Sequence, residues 1–322
     1  MDYHDARLHL WGRRRSGESG RRTSGRREAW TGFAFTLPFV AGFLLVFIIP
    51  ICVALQKSVT RQVASGGGVY GGGDLTEVFV GLQNFREVLA SERFWSGTLR
   101  VGVFGAVQIP VMILAALALA LLLDSALVRN PTFFRLSFFL PYAIPGVVAA
   151  MVWLYLYTPE ISPIVKGLAG IGVHVDFMGR NMVLFSMANM TTWTYTGYNM
   201  LIFLAALQSV PKELYDAARI DGAGEWKVAT RIKIPMIRGA ALLAVLLSII
   251  GTVQLFNEPV VLATMNPWMG NDFTPMMMAY STAMGGLSPS GDGPASAISI
   301  VMAVIAGTLA LLYSVVQRRV AQ

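Results

Sequence analysis

Six stretches of the chain run for about twenty residues without a charged side chain, at 33–54, 101–123, 136–157, 182–207, 240–257 and 297–316. A hydrocarbon core of about 30 Å is crossed by about 20 helical residues, so each stretch fits one crossing. The fifth fits only if it runs on toward Leu262. Backbone groups in lipid must be bonded within the segment, which makes these stretches helices. The short alternating segments of a membrane barrel are absent from the pattern. The pattern therefore predicts an all-α membrane protein with six transmembrane helices.

Charge orients the bundle. Only 13% of the 322 residues are charged, against about 25% in ordinary soluble domains, and 55% are hydrophobic. With the N-terminus placed in the cytoplasm, eighteen Lys and Arg fall on the cytoplasmic side and seven on the outer side. The positive-inside bias thus favours both termini in the cytoplasm. Eight of the eighteen lie in the first 27 residues, ahead of the first apolar stretch. Residues 1–29 read as a basic cytoplasmic tail whose Gly, Ser and Arg content suits disorder and contact with anionic lipid headgroups. Residues 30–322 read as the membrane domain. The net charge of +7 points to no nucleic acid, because no basic face with interleaved aromatics is visible. The first apolar stretch is too long for a signal peptide and has no small-residue cleavage site, so it reads as a retained span.

Little in the sequence suggests chemistry. Cys52 is the one cysteine, and the three histidines, His4, His9 and His174, form no ligand set, so neither a disulfide nor a metal site is expected. The glycine run at 66–73 is followed by Asp74 and lacks the Lys and Ser or Thr of a phosphate loop, so it reads as a flexible link. Residues 81–86, followed by Phe94 and Trp95, suit a short amphipathic helix at the membrane surface. Pro38, Pro50, Pro110, Pro141 and Pro145 sit inside apolar stretches, where each removes a backbone donor and can kink its helix.

The segment between the fourth and fifth stretches, 208–239, is the most informative. Pro211 can open a helix, Glu213 and Asp216 lie early in it where the dipole favours acids, and Ala217 and Ala218 keep one face small. Gly222 can close it in a left-handed cap, and Pro235 marks the return to the membrane. The result is a short charged helix anchored at both ends, able to pass a push into the bundle as a stiff lever.

This segment resembles the EAA signature of ATP-binding-cassette (ABC) importer permeases: Glu-Ala-Ala, three residues, Gly, nine residues, Ile, one residue, Leu-Pro. Asp216, Ala217, Ala218, Gly222, Ile232, Ile234 and Pro235 occupy those positions without a gap, with Asp for Glu and Ile for Leu, and Asp221 belongs to a similar Asp-Gly-Ala. Val80 to Phe85, Arg135 with Leu140-Pro141, and Phe256 to Pro259 resemble stretches of the carbohydrate branch, similar to the maltose and glycerol-phosphate permeases. The resemblance implies a type I importer permease fold in a bacterial inner membrane, with the loop helix docked on an ATPase and Asp216 facing a basic residue there. It implies as partners two ATPase subunits, a second permease subunit and an extracytoplasmic solute-binding protein. ATP and Mg2+ would sit in the ATPase subunits, since this chain has no P-loop sequence and is expected to bind no cofactor.

Polar groups inside spans are costly and face cavities or other helices. Thr191, Tyr195, Tyr198 and Asn199 share one face at helical spacing, and Gln254, Asn257 and Glu258 share another in the fifth stretch. Amides for hydroxyls and aromatic rings for C–H faces suit a sugar path, with Tyr195, Tyr198, Asn199, Gln254, Asn257 and Glu258 as its candidates. The same residues also suit hydrogen bonding between helices, and Glu258 suits the outer end equally. Asn189, Thr192, Trp193 and Thr194 add polarity to the fourth stretch, while Met276 to Met278 read as packing. Alternatives are a permease of this fold for a polyamine or phosphate, and a stand-alone secondary transporter. The latter calls for intramembrane acids, of which five of the six stretches hold none. No paired acids or nucleophile–base set suggests an enzyme.

Overall fold

The computed structural model describes residues 19–65, 74–125 and 128–321, which divide into two compact units, 1–54 and 55–322. The first 18 residues and the glycine run at 66–73 lie outside the described residues.

In the first unit, helix α1 spans Ser19–Phe43, a π turn follows over Leu44–Ile48, and α2 (Ile49–Ser58) begins there and ends in the second unit. Expected disorder over 1–29 is therefore corrected from Ser19 onward. Arg, Glu and Ala are good helix formers, and the apolar run that follows extends the same helix. The π turn ends two residues before Pro50, which has no N–H to give and crowds the carbonyl four residues back. A wider turn relieves both problems.

The second unit opens with a hairpin that the hydrophobic pattern did not announce. Strand β1 (Thr60–Ser65) pairs antiparallel with β2 (Asp74–Phe79), Thr60 opposite Phe79 and Ser65 opposite Asp74. Helix α3 (Gln83–Ala90) follows, where a short helix is expected. Asn84 of that helix, 1% exposed, ties the hairpin down. Its Nδ2 donates to the carbonyls of Ser58 and Thr60 at 2.8 and 2.9 Å, and its Oδ1 accepts from Arg61 at 2.6 Å. Arg61 also bonds Glu87 at 2.7 Å, and this donation holds the Glu87 carboxyl below the ordinary carboxylate range. That contribution to stability is present above the ordinary range and is lost as pH falls through the lowered value. Asn84→Ala leaves several buried groups without their partner, so it should cost about 2–3 kcal/mol, read as a lower unfolding midpoint of the detergent-solubilised protein. An unchanged midpoint would show the knot to be idle.

Helix α4 (Glu92–Asp124) starts at Ser91, whose hydroxyl accepts from the Phe94 N–H at 3.3 Å. Its most extensive neighbour is α8 (Val183–Gln208), and the two form the spine of the unit. Between them in sequence come α5 (Pro131–Phe139), a 3-10 turn at Leu140–Ala143, α6 (Gly146–Tyr157) and α7 (Pro163–Gly170). The expected single helix over 136–157 is thus corrected: it is two helical pieces bent by 96°. Ile144 precedes Pro145, which pushes it out of the helical region to φ −79°, ψ 132°.

Beyond α8 come α9 (Lys212–Ile220), α10 (Glu225–Val228), a π turn at Ala229–Lys233 and α11 (Ile234–Met236). Helix α12 (Arg238–Val253) breaks at 254–256 and resumes as α13 (Asn257–Ala263), so the fifth stretch does run on past Leu262. Helices α14 (Pro275–Ala283) and α15 (Asp292–Ala321) complete the chain. Tyr313 of α15 donates to the Leu242 carbonyl of α12 at 2.9 Å.

Among the described residues, Trp30–Ser58, Glu92–Asp124, Arg238–Ala263 and Asp292–Arg318 are long and apolar enough to cross a membrane. The bent pair Pro131–Ala143 and Gly146–Tyr157 makes a fifth if it forms one span. Helix α8 has the length, with 26 residues, but its polar side chains keep it out of that set. Two apolar cores flank its middle. One joins Val183, Met187 and Met190 to Tyr157, Leu262 and Met277. The other joins Phe203, Leu204 and Leu207 to Leu123, Tyr215 and Val228. Met277 and Met278 pack into apolar clusters, as their run suggests.

Candidate functional site

Between those two cores the polar middle of α8 faces a cavity of about 260 Å³. Thr191, Tyr195, Tyr198 and Asn199 line it as one stripe, as their spacing predicts. The opposite wall is the break between α12 and α13. Helical bonding lapses there, and Gln254, Asn257 and Glu258 are turned toward the same space. All six residues singled out for a substrate path therefore meet around one cavity. Glu258 is 9% exposed.

Helix α4 supplies the third wall with Phe104, Gln108 and Met112. The 3-10 turn supplies Tyr142, which stacks on Tyr198 with ring centroids 4.6 Å apart and meets Tyr195 edge-on at 5.9 Å. Neither Tyr142 nor Gln108 was singled out from sequence. A lone amide in an otherwise apolar span was the available signal for Gln108. Tyr142 lies between the two prolines that make the bend, and its place depends on that bend. Asn199 donates to the Tyr195 carbonyl at 3.0 Å, and the Thr191 hydroxyl donates to the Met187 carbonyl at 3.0 Å. The other polar residues of α8 do structural work. Asn189 donates to the Tyr157 hydroxyl at 2.9 Å, and Trp193 packs edge-on against Trp153.

The lining carries one carboxylate and no Lys, Arg or His. Aromatic faces, amides and hydroxyls dominate it. That set can bind hydroxyl-rich or cationic solutes and offers nothing to neutralise an anion. Its volume lies just below the usual range for small-molecule sites, about 300–1,000 Å³.

The second candidate region is the loop after α8. Helix α9 ends as its glycine predicts. Gly222 has φ +81°, its N–H donates to the Arg219 carbonyl, and the Ala223 N–H donates to the Ala218 carbonyl at 2.9 Å. This is a Schellman closure, with Ala218 and Ala223 both packed against the core beside them. Asp216 and Ala217 are exposed, and so are Asp221 and Gly222. Asp216 pairs with Arg219 at 3.2 Å, and Arg219 also reaches Glu225 at 3.0 Å. Ile232 packs against the core while Pro235 is exposed. Ile220 and Trp226, which sequence reasoning passed over, present large apolar surfaces at 87% and 80% exposure.

One side chain fastens α9 to the rest. Tyr215 is its buried residue, and burial pushes its phenol up. Beside it, 5.1 Å from the ring centroid, sits the ammonium of Lys233, which bonds Asp124 at 2.6 Å.

A family model described as "Binding-protein-dependent transport system inner membrane component" matches residues 129–322. The chain is 30% identical over 298 residues to the sn-glycerol-3-phosphate transport system permease protein UgpA of Yersinia pseudotuberculosis, covering 91% of this chain and 96% of that one. It is 30% identical to the lactose transport system permease protein LacF of Rhizobium radiobacter, covering 70% of this chain and 74% of that one. Its fold matches a chain of a bacterial ABC transporter involved in the import of the acidic polysaccharide alginate. The TM-score is 0.74 at 20% identity, over 94% of this chain and 100% of the other.

Proposed function

The chain belongs to the family of binding-protein-dependent transport system inner membrane components, and from that premise we propose that it forms half of the translocation path of an ABC importer for a carbohydrate. It is a multi-pass membrane protein. In this reading α8 and the bent pair each make one span, giving six, and the positive-inside bias puts both termini in the cytoplasm. Residues 1–29 are then the cytoplasmic tail, and 30–322 the permease domain with its coupling loop at 208–239.

The observation that carries the substrate reading is the cavity that gathers Tyr142, Tyr195 and Tyr198 with Gln108, Asn199, Gln254 and Asn257. Tyrosine faces cover the C–H side of a sugar ring, and the buried amides of Gln108 and Asn199 reject analogues that lack the matching hydroxyl. Its size suits half of a site, the other half coming from a second permease subunit. An extracytoplasmic binding protein delivers the solute, and two ATPase subunits holding ATP and Mg2+ drive the cycle through α9. The lactose and glycerol-phosphate permeases among the relatives support a carbohydrate. Glu258, with no cation in the lining, favours an uncharged sugar over the anionic solutes named for two of the similar proteins.

Glu258 also favours one second reading, a polyamine held by the carboxylate and the tyrosine faces. Uptake of labelled sugars, spermidine and phosphate by the complete reconstituted importer separates the readings. Uptake of spermidine without sugar would sink the carbohydrate assignment. Glu258→Gln should change sugar uptake by less than about threefold and cut polyamine uptake by more than about tenfold, since a desolvated charge contact exceeds a neutral hydrogen bond by about 1–2 kcal/mol.

A further inference from the structure

Two oppositely charged side chains 109 positions apart meet where α4 ends and the return limb of the coupling loop begins. Asp124 is the last residue of α4, where the helix dipole disfavours an acid. Lys233 is the last residue of the π turn and is 5% exposed. Their contact is short, 2.6 Å, and both side chains are largely buried. A pair of this kind adds little net stability, because desolvation offsets most of the attraction. What it does well is define one arrangement of the groups around it, since either charge left alone is expensive.

Three segments meet at this pair. Helix α9 reaches it through Tyr215, its buried residue, whose ring lies against the Lys233 ammonium. The return limb contributes Lys233. Helix α4 contributes Asp124 and, twelve to twenty residues earlier on the same helix, Met112, Gln108 and Phe104 of the cavity wall. At 1.5 Å per residue the pair stands roughly 18–30 Å from those side chains, along one continuous helix that carries Pro110 between Met112 and Gln108.

We propose that Lys233 and Asp124 are positioning residues for transport, a charged clamp that passes movement of α9 to α4 and so to the cavity. The proposal rests on the reading of α9 as the ATPase contact. Without the clamp, α9 still docks on its partner through its exposed face, but its movement is absorbed in the loop. The end of α4 and the cavity wall along its middle are then no longer driven together.

The test uses the complete importer in nanodiscs, with Cys52→Ser removing the native cysteine and Ser248→Cys placing a single thiol in the cavity wall. Maleimide labelling is timed without nucleotide and with ATP plus vanadate. In this parent, trapping should change the rate by about tenfold, within the usual range of coupling between sites. Asp124→Asn and Lys233→Met should each reduce that change to less than about twofold, while ATPase subunits stay bound and hydrolyse ATP within about twofold of the parent. Variants that respond like the parent would overturn the clamp. Loss of ATPase binding and hydrolysis alongside the labelling response would also overturn it, by showing the pair to be a fold support. A parent whose labelling ignores nucleotide would sink the ATPase-contact reading itself, and the clamp with it.

Discussion

Gly222→Pro abolishes ATP-driven uptake by the reconstituted importer while the chain still inserts in the membrane. Gly222 sits at φ +81°, and proline is held near −65°, so the closure of α9 cannot form around it. The substitution also removes the N–H that reaches the Arg219 carbonyl. The chain must then leave α9 in another direction, and Asp216, Ala217 and Asp221 lose their common presentation. A graded control is available. Nothing lies within 4 Å of where a Cβ would stand at Gly222, so Gly222→Ala meets only the backbone penalty of about 1–2 kcal/mol and should keep part of the activity. Asp216→Lys belongs to the same experiment. It replaces an exposed acid with a cation three residues before Arg219 and turns an ion pair into a repulsion. Uptake by Gly222→Pro at the parent rate would refute the lever reading of the loop.

Gly197→Leu removes most folded protein from the membrane. A Cβ built at Gly197 would run into the backbone carbonyl of Phe138, far inside contact distance, with the Phe139 nitrogen at 2.9 Å. Helices α5 and α8 touch backbone to backbone there, and no rotamer can avoid the clash. Gly197→Ala, the smallest test, should cost about 3 kcal/mol, the upper end of ordinary overpacking. Its effect should extend to the cavity, because Tyr142 lies just past α5 and stacks on Tyr198, the neighbour of Gly197. The measurements are membrane-fraction yield and the unfolding midpoint. A Gly197→Leu protein with parental yield and midpoint would show that the two helices are not in contact.

Periodicity made some of this structure legible. The stripe on α8 follows from the helical repeat alone, whereas Gln254, Asn257 and Glu258 meet it through the break between α12 and α13 rather than through a shared helical face. The end of α9 follows from one glycine placed after a short amphipathic run. Other features depend on distance in the chain. Two prolines at 141 and 145 announce a bend, but not its 96° or the close approach of α5 to Gly197, and Tyr142 lines the cavity from the turn at that bend. The hairpin has strands of six residues beside a glycine run, too short for alternation to be read, and it is pinned by Asn84 from the helix that follows. Lys233 looked like one more cytoplasmic cation. Its partner lies 109 residues away, and no local pattern links the two. The helical start at Ser19 within an Arg- and Gly-rich stretch shows a neighbouring apolar helix overriding composition.

The π turn over Ala229–Lys233 has a bearing on the spacing of the loop signature. A π turn holds one residue more than the α turn it replaces, so everything after it is rotated by about 100° from where an unbroken helix would put it. Lys233 sits at the end of that turn and points inward at Asp124, while Arg231, two positions earlier, is exposed. The ungapped interval from Gly222 to Ile232, Ile234 and Pro235 is therefore a matter of helical phase rather than length. The limb could lose or gain a residue and still span the gap, but the side chains beyond the change would turn by about 100° and Lys233 would no longer point at Asp124.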